Sequence, residues 1–210
     1  MTENAETPQA GPERGRHDKL GRQRALMDWA KVVFSERGYD TATTREIAQR
    51  AGCSEGLIHR YFGGKPGLLA AVLQQREFTR KVDLTAGMPH QATVEEELVR
   101  FMEWEIEKSW DDRATMRVTV SRAVIDPIIG DRAREFFQAT RVDFLRERLA
   151  WHQSEGRIRK GLDMGVVAAA ISGFAFNSGF FAQVAFQEPQ ELVKSEARTI
   201  AAVLARGLAP

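Results

Sequence analysis

Residues 43–62 read TTREIAQRAGCSEGLIHRYF, and these positions decide the fold. Thr43, followed three residues later by Glu46, has the form of a capping box. It predicts a helix over 44–51 whose buried side is Ile47, Ala48 and Ala51. Gly52 ends that helix, because a residue without a Cβ is favoured where the chain leaves a helix in the left-handed conformation. Ser54 is placed to cap a second short helix of about eight residues reaching Tyr61. It buries Ile58 and Phe62 and exposes Ser54, Glu55, Gly56, Leu57, His59 and Arg60. Two helices of about two turns, joined through a glycine turn with small residues at Ala48 and Ala51, make a helix-turn-helix. Such a unit lays its second helix in the major groove of DNA while the first helix and the flanking amides hold phosphates.

Working outward, Leu26, Ala30, Val33 and Phe34 recur at helical spacing and line one face of a preceding helix, which Gly38 stops. Gly63-Gly64 breaks the chain after the helix-turn-helix, and Pro66 sits where a first helical turn tolerates proline. From there long helices are expected over about 66–83, 93–110, 113–125, 131–154, 163–187 and 190–207. Pro127 and Pro189 are among the breaks. No strand alternation and no internal repeat appears. The expected architecture is all-α, a three-helix N-terminal head followed by a larger C-terminal helical domain for ligand binding and dimerisation. The divisions are a polar and basic flexible arm over 1–17, the head over 18–65 and the body over 66–210. Charge follows the same division. The net charge of the 210 residues is only +1, yet residues 14–65 carry eleven Lys/Arg against six Asp/Glu. A basic module on a neutral body is the footprint of a polyanion reader with a second task.

Several classes drop out. Cys53 is the single cysteine, which excludes an intrachain disulfide framework or a thiolate zinc cage and fits a reducing cytoplasm. His17, His90 and His152 are scattered, with no metal-ligand spacing. Met1 to Gly15 is polar and has no signal-peptide core. Gly64-Lys65 is followed by Pro66 rather than Ser or Thr, so it is no P-loop, and no Gly-x-Ser-x-Gly elbow occurs. No enzyme, cofactor or metal is expected.

Thr43-Thr44-Arg45-Glu46-Ile47-Ala48, Ala51-Gly52-Cys53-Ser54, Tyr61-Phe62, Lys65 and Leu68-Leu69 together resemble the N-terminal DNA-binding domain of TetR-type transcriptional regulators. Phe34-Ser35-Glu36-Arg37-Gly38-Tyr39 upstream fits the same pattern. The match covers about residues 26–69. It departs from the family at His59, Arg60 and Pro66-Gly67, positions that bear on operator choice. The resemblance and the residue chemistry together assign Arg45 to a guanine edge or a phosphate. Thr44, Tyr61 and Lys65 are phosphate contacts, and Thr43 belongs to the same edge. Gly56, Leu57 and His59 are candidates for base contact, flanked by Ser54, Glu55 and Arg60. Arg14, Arg16 and His17 form an arm on the backbone or minor groove.

The resemblance also implies an effector in the C-terminal domain that shifts the fourth helix and spreads two DNA-reading heads. The body has the aromatic surplus such a site needs, with Phe101, Trp104, Glu105, Met116, Phe137, Trp151 and Phe174 as candidate lining. The plain alternative for each is core packing. Glu105 falls inside the apolar stripe of Val94, Leu98 and Phe101. Either an arginine such as Arg141 or Arg148 pairs with it, or it faces the cavity and selects a cationic or hydrogen-bonding effector. Met164 to Gln187 carries no charge, and Leu192, Val193, Ala197, Ile200, Ala201 and Leu204 form a stripe; with a symmetry mate, the helices at about 163–187 and 190–207 make a four-helix interface. The uncharged run is long enough to span a bilayer, but its Ala, Gly, Ser, Asn and Gln content makes insertion weak. The expectation is a bacterial cytoplasmic, nucleoid-associated homodimer, probing double-stranded operator DNA and released by a small, largely apolar effector. A helical sensor or membrane-associated regulator not acting by direct DNA binding is the alternative.

Overall fold

The computed structural model describes residues 12–210, with side chains from residue 18 onward. Every regular element among them is helical. Of the expected arm, residues 1–11 and the side chains of Arg14, Arg16 and His17 lie outside the described residues; the backbone of 12–17 belongs to the first helix. The chain divides into two compact units, the first ending at Val72 and the second beginning at Leu73.

The first unit comprises α1 (Pro12–Arg37), α2 (Thr44–Arg50), α3 (Gly56–Phe62) and the opening turns of α4 (Lys65–Gly87). Leu26, Ala30, Val33 and Phe34 of α1 are all buried, together with Ile47, Ala48, Ile58, Leu68 and Leu69. This is the helical periodicity of the sequence turned into a core. Gly52 takes φ 63° in the turn between α2 and α3, a conformation that any Cβ strains. Two capping expectations are corrected. The Thr43 hydroxyl accepts from the Glu46 N–H at 3.1 Å, but the Glu46 carboxylate turns to Arg50 at 2.8 Å, so only half of the box forms. Ser54 does not cap α3. The Leu57 N–H bonds back to the Ser54 carbonyl at 3.1 Å and the Ile58 N–H to that of Glu55 at 3.0 Å, so tight turns satisfy the donors its hydroxyl would have taken. Ala51 and Phe62, expected inside, are half-buried.

The second unit is built around α5 (Val94–Asp111), whose capping box between Thr93 and Glu96 is complete. Around it lie the remainder of α4, α6 (Arg113–Ile125), α7 (Pro127–Phe137), α8 (Asp143–Ser154), α9 (Met164–Phe176) and α10 (Gln190–Leu208). Leu98, Phe101, Met102 and Ile106 of α5 are fully buried, and α8, α9 and α10 pack on this helix. Pro127, expected as a break with the next helix starting near 131, instead opens α7. Proline suits a first turn, and the Asp126 carboxylate accepts from the Ile128 and Ile129 N–H groups at 3.1 and 3.4 Å.

Two π-helical segments, Gln138–Val142 between α7 and α8 and Asn177–Ala185 after α9, were not expected. A π turn inserts a residue and re-aims the side chains around it. In the first, Thr140, Arg141 and Val142 are buried in succession. In the second, Ser178, Gly179 and Phe180 are. Gly179 sits so close to α5 that a Cβ would lie 2.7 Å from Ser109 Oγ and 3.0 Å from the Glu105 carbonyl oxygen. The segment Met164–Ala185 is long and apolar enough to cross a membrane by length and composition, and nearly half of its most apolar window is buried inside the fold. Gln183 lies buried in that segment and donates to the Ile106 carbonyl at 2.9 Å.

Candidate DNA-reading face and ligand cavity

The helix-turn-helix residues gather on the first unit. Thr43, Arg45, Ser54, Glu55, Gly56, His59 and Arg60 are exposed, and Thr44, Leu57, Tyr61 and Lys65 are half-exposed. The Thr44 hydroxyl donates to the Glu55 carboxylate at 2.5 Å, tying the start of α2 to the residue before α3 and placing a negative group on the face expected to meet DNA. Lys65, expected as a phosphate contact, is held within the head. Its ammonium donates to the carbonyls of Asp40 and Ala42 at 3.1 and 2.7 Å and lies 4.5 Å from the Tyr39 ring centroid, clamping the turn between α1 and α2. Lys19, which the sequence did not single out, stands 5.7 Å over the Tyr61 ring. Arg50 bridges Glu36 and Glu46 at 2.8 Å each, and the hydrogen bond to Glu36 is the main influence raising its pKa. Arg45, His59 and Arg60 are among the cationic and polar side chains offered outward.

Within the second unit an apolar cavity of about 330 Å³ is lined by α4, α6, α7, the first π segment and Phe176. Of the residues expected there, Met116 and Phe137 line it; Phe101, Trp104, Glu105, Trp151 and Phe174 do not. Phe101 and Trp104 are buried in the main core, against which Phe174 packs from the side. Trp151 lines a separate, more polar cavity beside His90, ring centroids 4.2 Å apart. The sequence reading missed Leu73, Arg76, Glu77 and Val120. A signal existed for two of them. Arg76, Glu77 and Arg80 continue the helical stripe of Leu69, Leu73 and Leu84, so charges fall on the buried side of α4 as Glu105 does on that of α5.

Those charges form one network. Glu105, fully buried, accepts from Arg141 Nε at 2.9 Å, from Arg80 Nη1 at 3.3 Å and from the Ser109 hydroxyl at 3.1 Å. Arg141 also reaches Glu77 at 3.1 Å. Arg76 donates to Glu77 and to Asp112 at 3.0 Å each. Burial works against the Glu105 carboxylate, but Arg141 and Arg80 outweigh it and hold the pKa down at about 2. Arg141 is likewise subject to burial, which lowers its pKa, but Glu105 and Glu77 prevail and raise it. Arg76 is the exception: burial, and then repulsion from Arg80, bring it down to about 10. Glu105 is therefore a paired structural charge, with Arg141 as one of the two anticipated partners. Arg148, the other, belongs to a second cluster with Glu97, at 2.8 and 3.0 Å.

Residues 26–72 match the family model described as bacterial regulatory proteins, tetR family. The HTH-type transcriptional regulator BetI of Cronobacter sakazakii is 31% identical over 173 residues, 74% of this chain and 83% of that protein. The chain belongs to the TetR family. Its fold agrees with solved TetR-family structures. A TetR-family regulator from Rhodococcus sp. superimposes with a TM-score of 0.75 at 19% identity, covering 88% of this chain and 98% of that one. The regulator FadR of Bacillus subtilis, solved with stearoyl-CoA, gives a TM-score of 0.72 at 18% identity and the same coverage. The first unit of this TetR-family chain is thus its helix-turn-helix DNA-binding module, and the protein is a transcriptional regulator.

Proposed function

We propose that the protein is a cytoplasmic, homodimeric regulator, not an enzyme, whose head binds a palindromic operator and whose cavity between α4, α6 and α7 takes a small, largely apolar effector that releases the DNA. The observation that carries this reading is that one chain holds both an outward-facing helix-turn-helix and a partly open apolar cavity whose wall includes α4. The FadR neighbour's complex with stearoyl-CoA supports a ligand in the same kind of fold.

In the head, Arg45 and Arg60 are assigned to DNA by their exposure and charge, with Gly56, Leu57 and His59 against base edges and Thr43, Thr44, Ser54 and Tyr61 along the backbone. Glu55 orients Thr44, and Lys65 braces the turn rather than contacting phosphate. The domains follow the two units, with α4 contributing residues to both. A second copy covers the apolar side chains left exposed on the last helices, Val166, Phe181, Leu192 and Val203. The buried Gln183 and Ser172 suit a protein interior better than lipid, which favours this reading over a membrane anchor.

The experiment is a mobility-shift titration of a promoter fragment from the protein's own upstream region. Unaltered protein is expected to shift it, with affinity falling steeply as salt rises. If the double variant Arg45→Ala, Arg60→Ala, folded by circular dichroism, shifts the fragment equally well, direct reading by this face is refuted.

A further inference from the structure

The cavity that the proposed function treats as the effector site has one chemically distinctive wall. Apart from Thr119, its polar lining is Arg76, Arg134 and Arg141 against the single carboxylate Glu77. Both oxygens of that carboxylate are already taken, Oε1 by Arg76 and Oε2 by Arg141. Arg141 is held on three of its nitrogens by Glu105 and Glu77. Arg76 is not matched in this way. Its side chain is only 8% exposed, its Nε and Nη1 are bonded to Asp112 and Glu77, and its Nη2 has no hydrogen-bond partner. A buried guanidinium nitrogen without an acceptor is costly, and a carboxylate oxygen is the strongest acceptor for the one nitrogen left open. Arg134, whose exposed side chain pairs with exposed Asp131 at 3.4 Å, stands at the open rim of the same lining. Leu73, Met116, Val120, Phe137 and Phe176 leave the remainder of the space to hydrocarbon.

We propose that the effector is an apolar molecule bearing a carboxylate head, received by Arg76 at the charged end of the cavity while its hydrocarbon body lies against Met116, Val120, Phe137 and Phe176. This rests on the cavity being the effector site and reverses the cationic preference that a free Glu105 would have given. Neutralised by Arg141 and Arg80 and absent from the lining, Glu105 has no charge to offer a cation.

Calorimetric titration with decanoate, 1-decanol and decylamine tests it, since the three share one chain and differ in the head. For the full-length protein, decanoate is expected to bind at least tenfold more tightly than decanol, and decylamine more weakly than either. Arg76→Met is expected to bring the decanoate-to-decanol ratio close to one while decanol affinity changes little; a merely structural arginine would weaken all three together. Arg76→Lys, which keeps the charge without the fork, is expected to retain part of the preference and serves if the methionine variant does not fold. Val120→Trp, which fills the cavity, is expected to abolish all binding. Equal affinities, a preference for decylamine, no binding of any of the three, or a carboxylate preference that survives both Arg76 variants would overturn the assignment. A parallel mobility shift separates the two readings. Decanoate that binds with the expected Arg76 dependence but leaves the protein on its promoter fragment supports the carboxylate site and refutes the cavity as the release switch.

Discussion

Single residues show where charge has been enlisted for architecture. Glu105 owes its ionised state to two guanidinium groups, so its folded pKa of about 2 lies below the ordinary 4.5. A carboxylate depressed on folding stabilises the protein at pH values above its unfolded pKa, and that contribution disappears as acid is added down through the folded one. The urea midpoint of the unaltered protein is therefore expected to fall between about pH 4.5 and 2, more steeply than that of Glu105→Gln over the same window. At neutral pH the Gln variant is expected to lose about 3–5 kcal/mol, because Arg141 and Arg80 are left buried with less negative charge. Lys65 and Arg45 make a second contrast. Lys65→Ala removes two charge-assisted bonds to the Asp40 and Ala42 carbonyls, so it is expected to lower the head's stability by roughly 1.5–3 kcal/mol in chemical denaturation. Arg45→Ala, on an exposed side chain, is expected to alter stability by no more than about 0.5 kcal/mol. Its effect is on DNA, reducing the slope of log affinity against log salt by about one.

At the level of elements, the helices of the head and most of the body could be read from apolar spacing, because Leu26, Ala30, Val33 and Phe34, or Val94, Leu98 and Phe101, have one face to bury and nowhere else to put it. The π segments could not. An inserted residue changes which side chains point inward without changing the composition of the stretch, and Arg141 gives no sign in sequence that it lies between two other buried residues. Aromatic content likewise could not separate wall from core: Phe101 and Phe137 are the same residue type, and only packing decides that one is inside and the other lines a cavity. Arg76 and Glu77 were legible in principle, as charges on the apolar stripe of α4. The second π segment makes its own prediction. Gly179→Ala places a methyl 2.7 Å from Ser109 Oγ and 3.0 Å from a backbone oxygen of α5, and the backbone has little freedom to yield. A loss of about 1–3 kcal/mol is expected, read as a lower melting temperature. Ser109 also donates to Glu105, so the cavity's charged end is expected to loosen with it.

For the whole molecule, the uncharged Met164–Ala185 stretch poses the question of what covers it. Val166 is 67% exposed and Val203 51%, and in the proposed homodimer a second copy covers them. The double variant Val166→Glu, Val203→Glu is expected to sediment as a monomer with its helix content intact and to lose most of its operator affinity, since two heads on one duplex bind together and one alone binds weakly. The single thiol of the chain then acquires a use. Cys53 is partly accessible in the turn between α2 and α3, so one dye per polypeptide can be attached without mutagenesis. In the proposed homodimer that places a donor and an acceptor at the two reading heads, and resonance energy transfer between them becomes a ruler for whether the heads part when a ligand arrives.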